Sequence, residues 1–174
     1  GLRIYTTIDS RMQQYAEDAI KEHLGQDLQK VFFNELRRKR NAPFSDDVTP
    51  EIREMLMNQA IKWSDRYRQL KREEVSEEEI LRSFKQKVQM RLFSWNEQGY
   101  IDTLMTPYDS IKYYKSFLRA AFIALEPHTG KVKAYVGGPD YRYFKYDNAR
   151  QGKRQVGSTI KPFLYTLAMQ EGFT

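Results

Sequence analysis

The sequence predicts an α+β fold: a mostly helical region with a short antiparallel sheet, then a hairpin that leads through a polar loop to one last helix. Three observations predict it. Between residues 9 and 89 apolar side chains recur at helical spacing behind recognisable helix starts. Past Met90 the period changes to short runs of strand-forming residues, "RLFSW" and "DTLMT". Finally, "AAFIALEPHTGKVKAYVGG" is two apolar runs around Pro127, His128, Thr129 and Gly130, which is hairpin composition.

In chain order, Leu2, Ile4, Thr6 and Ile8 alternate with Arg3, Tyr5 and Thr7, the period of a short edge strand with one buried face. Asp9 supplies an N-cap, and Met12, Tyr15, Ala16, Ala19, Ile20 and Leu24 define an amphipathic helix that stops at Gly25. Leu28, Val31, Phe32 and Leu36 continue an apolar stripe in a second helix, which "NAPFSDD" breaks. Thr49, Pro50 and Glu51 form a strong start: a cap, a proline in the first turn and an acid at the positive dipole end. Ile52, Met55, Leu56, Trp63, Tyr67 and Leu70 give that helix its apolar face. Ser76 and Glu79 make a capping box ahead of Ile80, Phe84 and Val88. Asp109 can cap a helix holding Ile111, Tyr114, Phe117 and Leu118, and a boundary falls near Arg119, dividing residues 1–118 from 119–174. After Gly137, Gly138 and Pro139 the tyrosine-rich loop "DYRYFKYDNARQGKRQ" leads to Gly157 and a helix carrying Ile160, Phe163, Leu164, Leu167 and Ala168 up to Gly172.

Composition narrows the chemistry. A chain of 174 residues with 40% hydrophobic content can bury one core, or one and a fraction if part of it is an elongated helical piece. Cysteine is absent, which removes thiol catalysis, disulfides and cysteine-ligated zinc. His23 and His128 are the only histidines, so neither a His-x-x-x-His metal pair nor a histidine triad is on offer. No metal and no cofactor are expected. The charge of +6 comes from 29 Lys and Arg against 23 Asp and Glu, with both signs interspersed. The sharpest cluster, Arg37, Arg38, Lys39 and Arg40, reads as a solvated helix end complementing the dipole rather than as a nucleic-acid patch. No apolar run approaches the roughly 20 residues that span a bilayer, and the first residues lack the pattern of a signal peptide, so the chain by itself is expected to be soluble.

The candidate site is Ser158-Thr159-Ile160-Lys161. A serine and a lysine three apart on a helix share a face and can reach each other. Pro162 would disrupt a helix interior, so the helix must begin close to Ser158, with Gly157 permitting a tight entry. That places the serine among the exposed amides of a helix N-terminus, where a developing oxyanion is stabilised and a second positive charge on Lys161 is disfavoured. The chemistry so implied is acyl transfer through a seryl ester, with Ser158 as nucleophile and Lys161 as base. The bland alternative is a serine that caps a core helix beside an incidental lysine.

The words around this tetrad resemble the class A, bifunctional penicillin-binding proteins, closest to the type called 1A. "GLRIYTTIDSRMQQYAEDAI" resembles the start of their linker and transpeptidase region, "AAFIALEPHTGKVKAYVGG" the first hairpin of the transpeptidase sheet, and "NARQGKRQVGSTIKPFLYTLAMQEGFT" the segment bearing the nucleophile. The resemblance implies a penicillin-binding, β-lactamase-like serine transpeptidase domain that is incomplete here, preceded by a linker with a helical insertion over 25–89. It also implies D,D-transpeptidation of peptidoglycan stem peptides, acylation by β-lactams, and a parent anchored in the bacterial cytoplasmic membrane with this region on the outer, periplasmic side. The family's Ser-x-Asn and Lys-Thr-Gly elements follow the nucleophile, and a glycosyltransferase domain and anchor precede the linker, so an excised piece, inactive alone, is expected. Ser94-Trp95-Asn96 and His128-Thr129-Gly130 imitate the two missing elements but precede Ser158, and neither is assigned to the site. A different role, as a non-catalytic linker that docks partner proteins of cell-wall synthesis, stays open beside the catalytic one. Exposed apolar surface of the incomplete domain invites disorder or dimerisation.

Overall fold

Asp9 opens the helical part as the sequence requires, its carboxylate accepting from the amides of Arg11 and Met12. The computed structural model describes residues 2–173; Gly1 and Thr174, the outer limits of the two expected regions, lie outside it. From Asp9 one unbroken helical rod runs through α1 (Ser10–Ala19), a π-helical stretch (Ile20–Leu28) and α2 (Gln29–Leu36). The expected stop at Gly25 does not occur. A Cβ on Gly25 would sit 2.5 Å from the Trp95 indole, so the glycine serves a close side-chain approach and not a helix end.

The edge strand expected over 2–8 does not form either. Thr7 Oγ1 donates to Val132 O (2.7 Å) and the Asp9 amide to Lys133 O (2.9 Å), yet Leu2 and Ile4 are 89% and 76% exposed. An alternating segment becomes a strand only when a free ladder and a core await it. Here the next positions of that edge are taken by a side chain: Gln13 donates to Tyr135 O (3.0 Å) and accepts from Tyr135 N (2.8 Å).

Helices α3 (Pro50–Trp63), α4 (Asp65–Arg72) and α5 (Glu77–Ser83) begin at Thr49, Ser64 and Ser76, each hydroxyl accepting an amide two or three residues into its helix. Ser64 splits what the sequence suggested was one helix. The buried stripe is Met57 and Ile61, while Ile52, Met55 and Trp63 of the expected face are exposed. Ile61, Ile80 and Phe84 form a core with Tyr67, Leu70, Tyr108 and Ile111 around them. Val88 opens strand β1 (Val88–Phe93) instead of continuing α5, and β1 pairs antiparallel with β2 (Tyr100–Met105). Helix α6 (Pro107–Lys115) is capped by Thr106, whose hydroxyl accepts from the Asp109 amide. Asp109, the expected cap, is its partner in the box, because Pro107 fixes the first helical position two residues earlier.

The hairpin expected in 120–138 is present as β3 (Phe122–Leu125) and β4 (Val132–Val136), antiparallel, with Gly130 at φ +68 in the turn. The architecture is therefore α+β with two small antiparallel sheets. Ala16 and Ile20 pack on Ala124, Ala134 and Val136, so the rod lies on the second sheet. An aromatic core joins the rest: Phe93, Phe117 and Phe144 meet with ring centroids 5.0–5.7 Å apart, and Phe33 stands edge-on to Phe117 at 5.4 Å. Tyr113 donates to Phe93 O (2.8 Å) and Tyr114 accepts from Phe93 N (3.1 Å), pinning the end of β1 to α6.

Candidate active site

The path from the sheet to Ser158 starts at the end of β4 and is held down residue by residue. Asn148 donates from both its backbone and side-chain nitrogens to Gly137 O (2.7 and 2.9 Å). Asp147 accepts from the Tyr135 hydroxyl (2.6 Å) and from the amides of Ala149 and Arg150 (2.9 and 3.1 Å). The Tyr135 hydroxyl, first, and these amides hold the Asp147 carboxyl below the usual carboxylate range, and the same bond raises Tyr135. A Cβ at Gly137 would lie 2.7 Å from Asp147 Oδ1, and one at Gly152 would lie 2.4 Å from Asn148 O. Both positions therefore demand glycine.

Beyond Gly152 the support ends. Residues 153–156 take no regular structure, and Gly157, at φ +51, turns the chain into a 3₁₀ turn (Gly157–Ile160) that runs on into α7 (Lys161–Gln170). Pro162 falls in the first turn of α7, where its missing amide costs nothing. The Lys161 amide donates to Ser158 O, so the two residues stand one backbone turn apart, while among the described residues no hydrogen bond joins their side chains. Sequence reasoning put the serine at the helix start; the structure places it one 3₁₀ turn ahead of the α-helix.

Ser158 and Lys161 are both exposed. So is most of α7: Phe163 and Met169 are 73% and 72% open to solvent, and Leu164 and Leu167 are more than half exposed. A helix apolar on every side is stable when covered, and among the described residues nothing covers this one. A cleft of about 730 Å³ lies elsewhere, between α1, the β1–β2 loop and the segment after β4. Ser94-Trp95-Asn96 sits in that β1–β2 loop, with Ser94 N donating to Gly99 O (3.2 Å) and Asn96 Nδ2 to Tyr100 O (2.9 Å). His128-Thr129-Gly130 forms the β3–β4 turn, where Thr129 Oγ1 bonds the Glu126 carboxylate. Neither triplet is arranged around Ser158. Among the described residues no group of three or more His, Cys, Asp or Glu is placed to hold a metal ion, and no helix is long and apolar enough to cross a membrane.

Two positioning residues escaped sequence reasoning. Gln13 and Gln29 read as ordinary helical polar residues, yet each amide completes backbone bonds of a distant segment. Gln29, 1% exposed, donates to Ser116 O (2.9 Å) and accepts from Leu118 N (2.8 Å). No local signal distinguishes such a glutamine; only a polar residue in an otherwise apolar stripe hints at it.

Comparison with known proteins places these elements. Residues 39–118 match the model of the penicillin-binding protein middle domain, and residues 120–174 match that of the penicillin-binding protein transpeptidase domain. Penicillin-binding protein 2D of Bacillus subtilis (strain 168) is 51% identical over 59 residues, 34% of this chain and 8% of that protein. Penicillin-binding protein 1A of Escherichia coli (strain K12) is 49% identical over 57 residues, 33% of this chain and 7% of the relative. The protein of that name from Vibrio cholerae serotype O1 is 48% identical over 54 residues, 31% and 6%. The aligned part thus spans less than a tenth of each of these relatives. No solved structure matches the chain. With the penicillin-binding protein middle domain and transpeptidase domain matched in succession over residues 39–118 and 120–174, the chain belongs to the penicillin-binding proteins.

Proposed function

We propose that this chain carries the nucleophile of a serine D,D-transpeptidase that cross-links peptidoglycan stem peptides on the outer side of the bacterial cytoplasmic membrane. The observation that supports the reading is the place of Ser158 and Lys161, one backbone turn apart at the entry to α7, inside the segment matched by the transpeptidase model. Ser158 Oγ attacks a stem-peptide carbonyl while Lys161 takes its proton. Collapse of the tetrahedral intermediate expels the terminal amine, which receives that proton, and leaves a seryl ester. An amine from a second stem peptide then attacks the ester and restores the serine. A β-lactam enters the first step, but its leaving nitrogen stays tethered, so the acyl-enzyme persists. The division at 118/119 separates the linker from the catalytic part in this reading.

The chain of 174 residues alone is not acylated at a useful rate in this reading. Ser158 and Lys161 face solvent, and no second wall stands opposite them among the described residues to supply an oxyanion donor. Lack of one such donor costs on the order of 10²–10³ in rate. Intact-mass spectrometry after incubation with a reactive penicillin tests both statements. In the full-length parent, stoichiometric addition should map to Ser158 and vanish in Ser158→Ala; Lys161→Ala should slow it severely. Addition at another residue would refute the nucleophile, parental rates in Lys161→Ala would refute the base, and rapid addition to the 174-residue chain would refute its inactivity.

A further inference from the structure

We propose that the groove between α3, α5 and α6 is a docking site for an acidic peptide segment of a partner protein, one that carries an apolar side chain between its carboxylates. The groove holds about 650 Å³. Its floor is apolar, with Met57, Ile61 and Phe84 reaching it at 2–3% exposure. Its rim is cationic: Arg40, Arg53, Lys85 and Lys112 line it against a single carboxylate, Glu54. Asp46 and Asp47 lie in an adjoining hollow that shares Arg40 and Arg53.

Of these cations Lys112 stands over the Tyr108 ring, its ammonium 4.8 Å from the centroid, but none is held by a carboxylate among the described residues. Elsewhere in the chain Arg68, Arg82, Arg91 and Arg142 each hold a carboxylate within 2.7–3.0 Å. Among the described residues no such ion pair forms at Arg40, Arg53, Lys85 or Lys112. Arg53 donates from Nη1 to Asn41 Oδ1 (2.5 Å), while its Nε is buried without an acceptor. A buried donor left open costs free energy that an incoming acceptor recovers. Lys115 adds a further cation beside the groove, its ammonium 5.9 Å from the ring of Phe44, which lines it. Partial burial, and to a lesser extent the nearby Arg119, push Lys115 below its ordinary value.

Charge complementarity identifies the occupant, and shape narrows it. Carboxylates would pair the rim cations, and an apolar side chain would enter over Met57, Ile61 and Phe84. A planar anionic membrane surface meets cations on a flat or convex face and leaves such a floor unfilled. The proposal does not depend on the acyl-transfer reading, since the groove is built wholly from residues 40–112.

The probe is a fluorescein-labelled peptide of about twelve residues in which Glu alternates with Leu, titrated with the 174-residue chain and read by fluorescence anisotropy. Binding should weaken about tenfold or more in the Arg40→Glu/Lys112→Glu double variant and should be unchanged in Arg3→Glu, a charge reversal on the exposed segment before α1. It should weaken likewise when Gly replaces Leu in the probe. Circular dichroism checks that the variants fold, and the single variant Lys85→Glu repeats the test if the double variant does not. Binding that ignores these charge reversals overturns the proposal. So does equal affinity for the Glu/Gly peptide, which would show charge attraction alone. Capture by vesicles of phosphatidylcholine with one quarter phosphatidylglycerol, or by single-stranded DNA, through the same residues and without peptide binding, would assign the groove to another class of partner and equally overturn it.

Discussion

Replacing Gln29 with methionine should cost more than any surface change in this chain, although the residue touches no substrate. Gln29 lies on α2 and its amide bonds the backbone at Ser116 and Leu118, where α6 hands over to the second sheet. Methionine fills nearly the same volume, so a cavity contributes little, and the loss is that of two hydrogen bonds. The Leu118 amide would be stranded, at about 1–3 kcal/mol, whereas the Ser116 carbonyl keeps a second lone pair and loses about 0.5–1.5 kcal/mol. The sum, about 1.5–4.5 kcal/mol, is a large share of the stability of a chain of this size. With a urea dependence of about 1–3 kcal/mol per molar, the unfolding midpoint should fall by about 1–2 M. Urea titration followed by far-UV circular dichroism measures the shift, and hydrogen exchange should show the Leu118 amide losing protection. A midpoint within experimental error of the parent, with that amide still protected, would show that the bonds contribute nothing net and would refute the reasoning.

Gly25→Ala should destabilise even though alanine is the better helix former by about 1 kcal/mol, because the new Cβ must displace the Trp95 indole at a cost of about 1–3 kcal/mol. The two terms separate in a double-mutant cycle on thermal unfolding: in a Trp95→Ala background the same glycine change should be neutral or stabilising, and additivity would count against the clash. A third expectation concerns alkaline pH. Burial pushes the Tyr113 hydroxyl up to about 12, with Tyr114 adding to it. The folded chain therefore keeps a proton that the unfolded chain releases near pH 10. The stability this represents is whole below about pH 10 and drains away as pH rises toward about 12. Tyr113→Phe should flatten denaturant stability against pH over that window, and an unchanged slope would place the sensitivity elsewhere.

What the sequence revealed was whatever depends on neighbours in the chain. Asp9, Thr49 and Ser76 cap helices because a short polar side chain before an amphipathic run has one dominant use, and the hairpin over 120–138 follows from its turn composition. Where a residue's purpose lies across the fold, local reading failed. Gly25 looked like a stop signal and is instead a gap for Trp95. Leu2–Ile8 has the period of a strand, but Gln13 completes the edge it would have used. Asp109 was expected to cap α6, but Thr106 takes that place, because Pro107 suits the first position of a helix that begins ahead of Asp109. At the candidate site, Ser158 and Lys161 were legible as a word, and Gly157 and Pro162 fixed its backbone. The exposure of α7 was not legible, because an apolar helix gives no sign of what it packs against.

That division has a physical consequence for catalysis. Up to Gly152 the second sheet and its loop are anchored three times over: α1 lies on β4, Gln29 grips the end of α6, and Phe144 plugs into the core made by Phe93 and Phe117. These contacts give residues 119–152 a fixed frame, and the bonds from Asn148 and Asp147 extend that frame to the foot of the segment bearing Ser158. The relation of Ser158 to Lys161 is set locally, by one 3₁₀ turn, and needs no frame at all. Attack on a carbonyl needs more, because a misplacement of about 1 Å can cost about 10² in rate. In the reading proposed for Ser158, placing it against a substrate requires Phe163, Leu164 and Leu167 to be seated on something. Positioning of the proposed nucleophile is therefore governed by whatever covers the apolar face of α7.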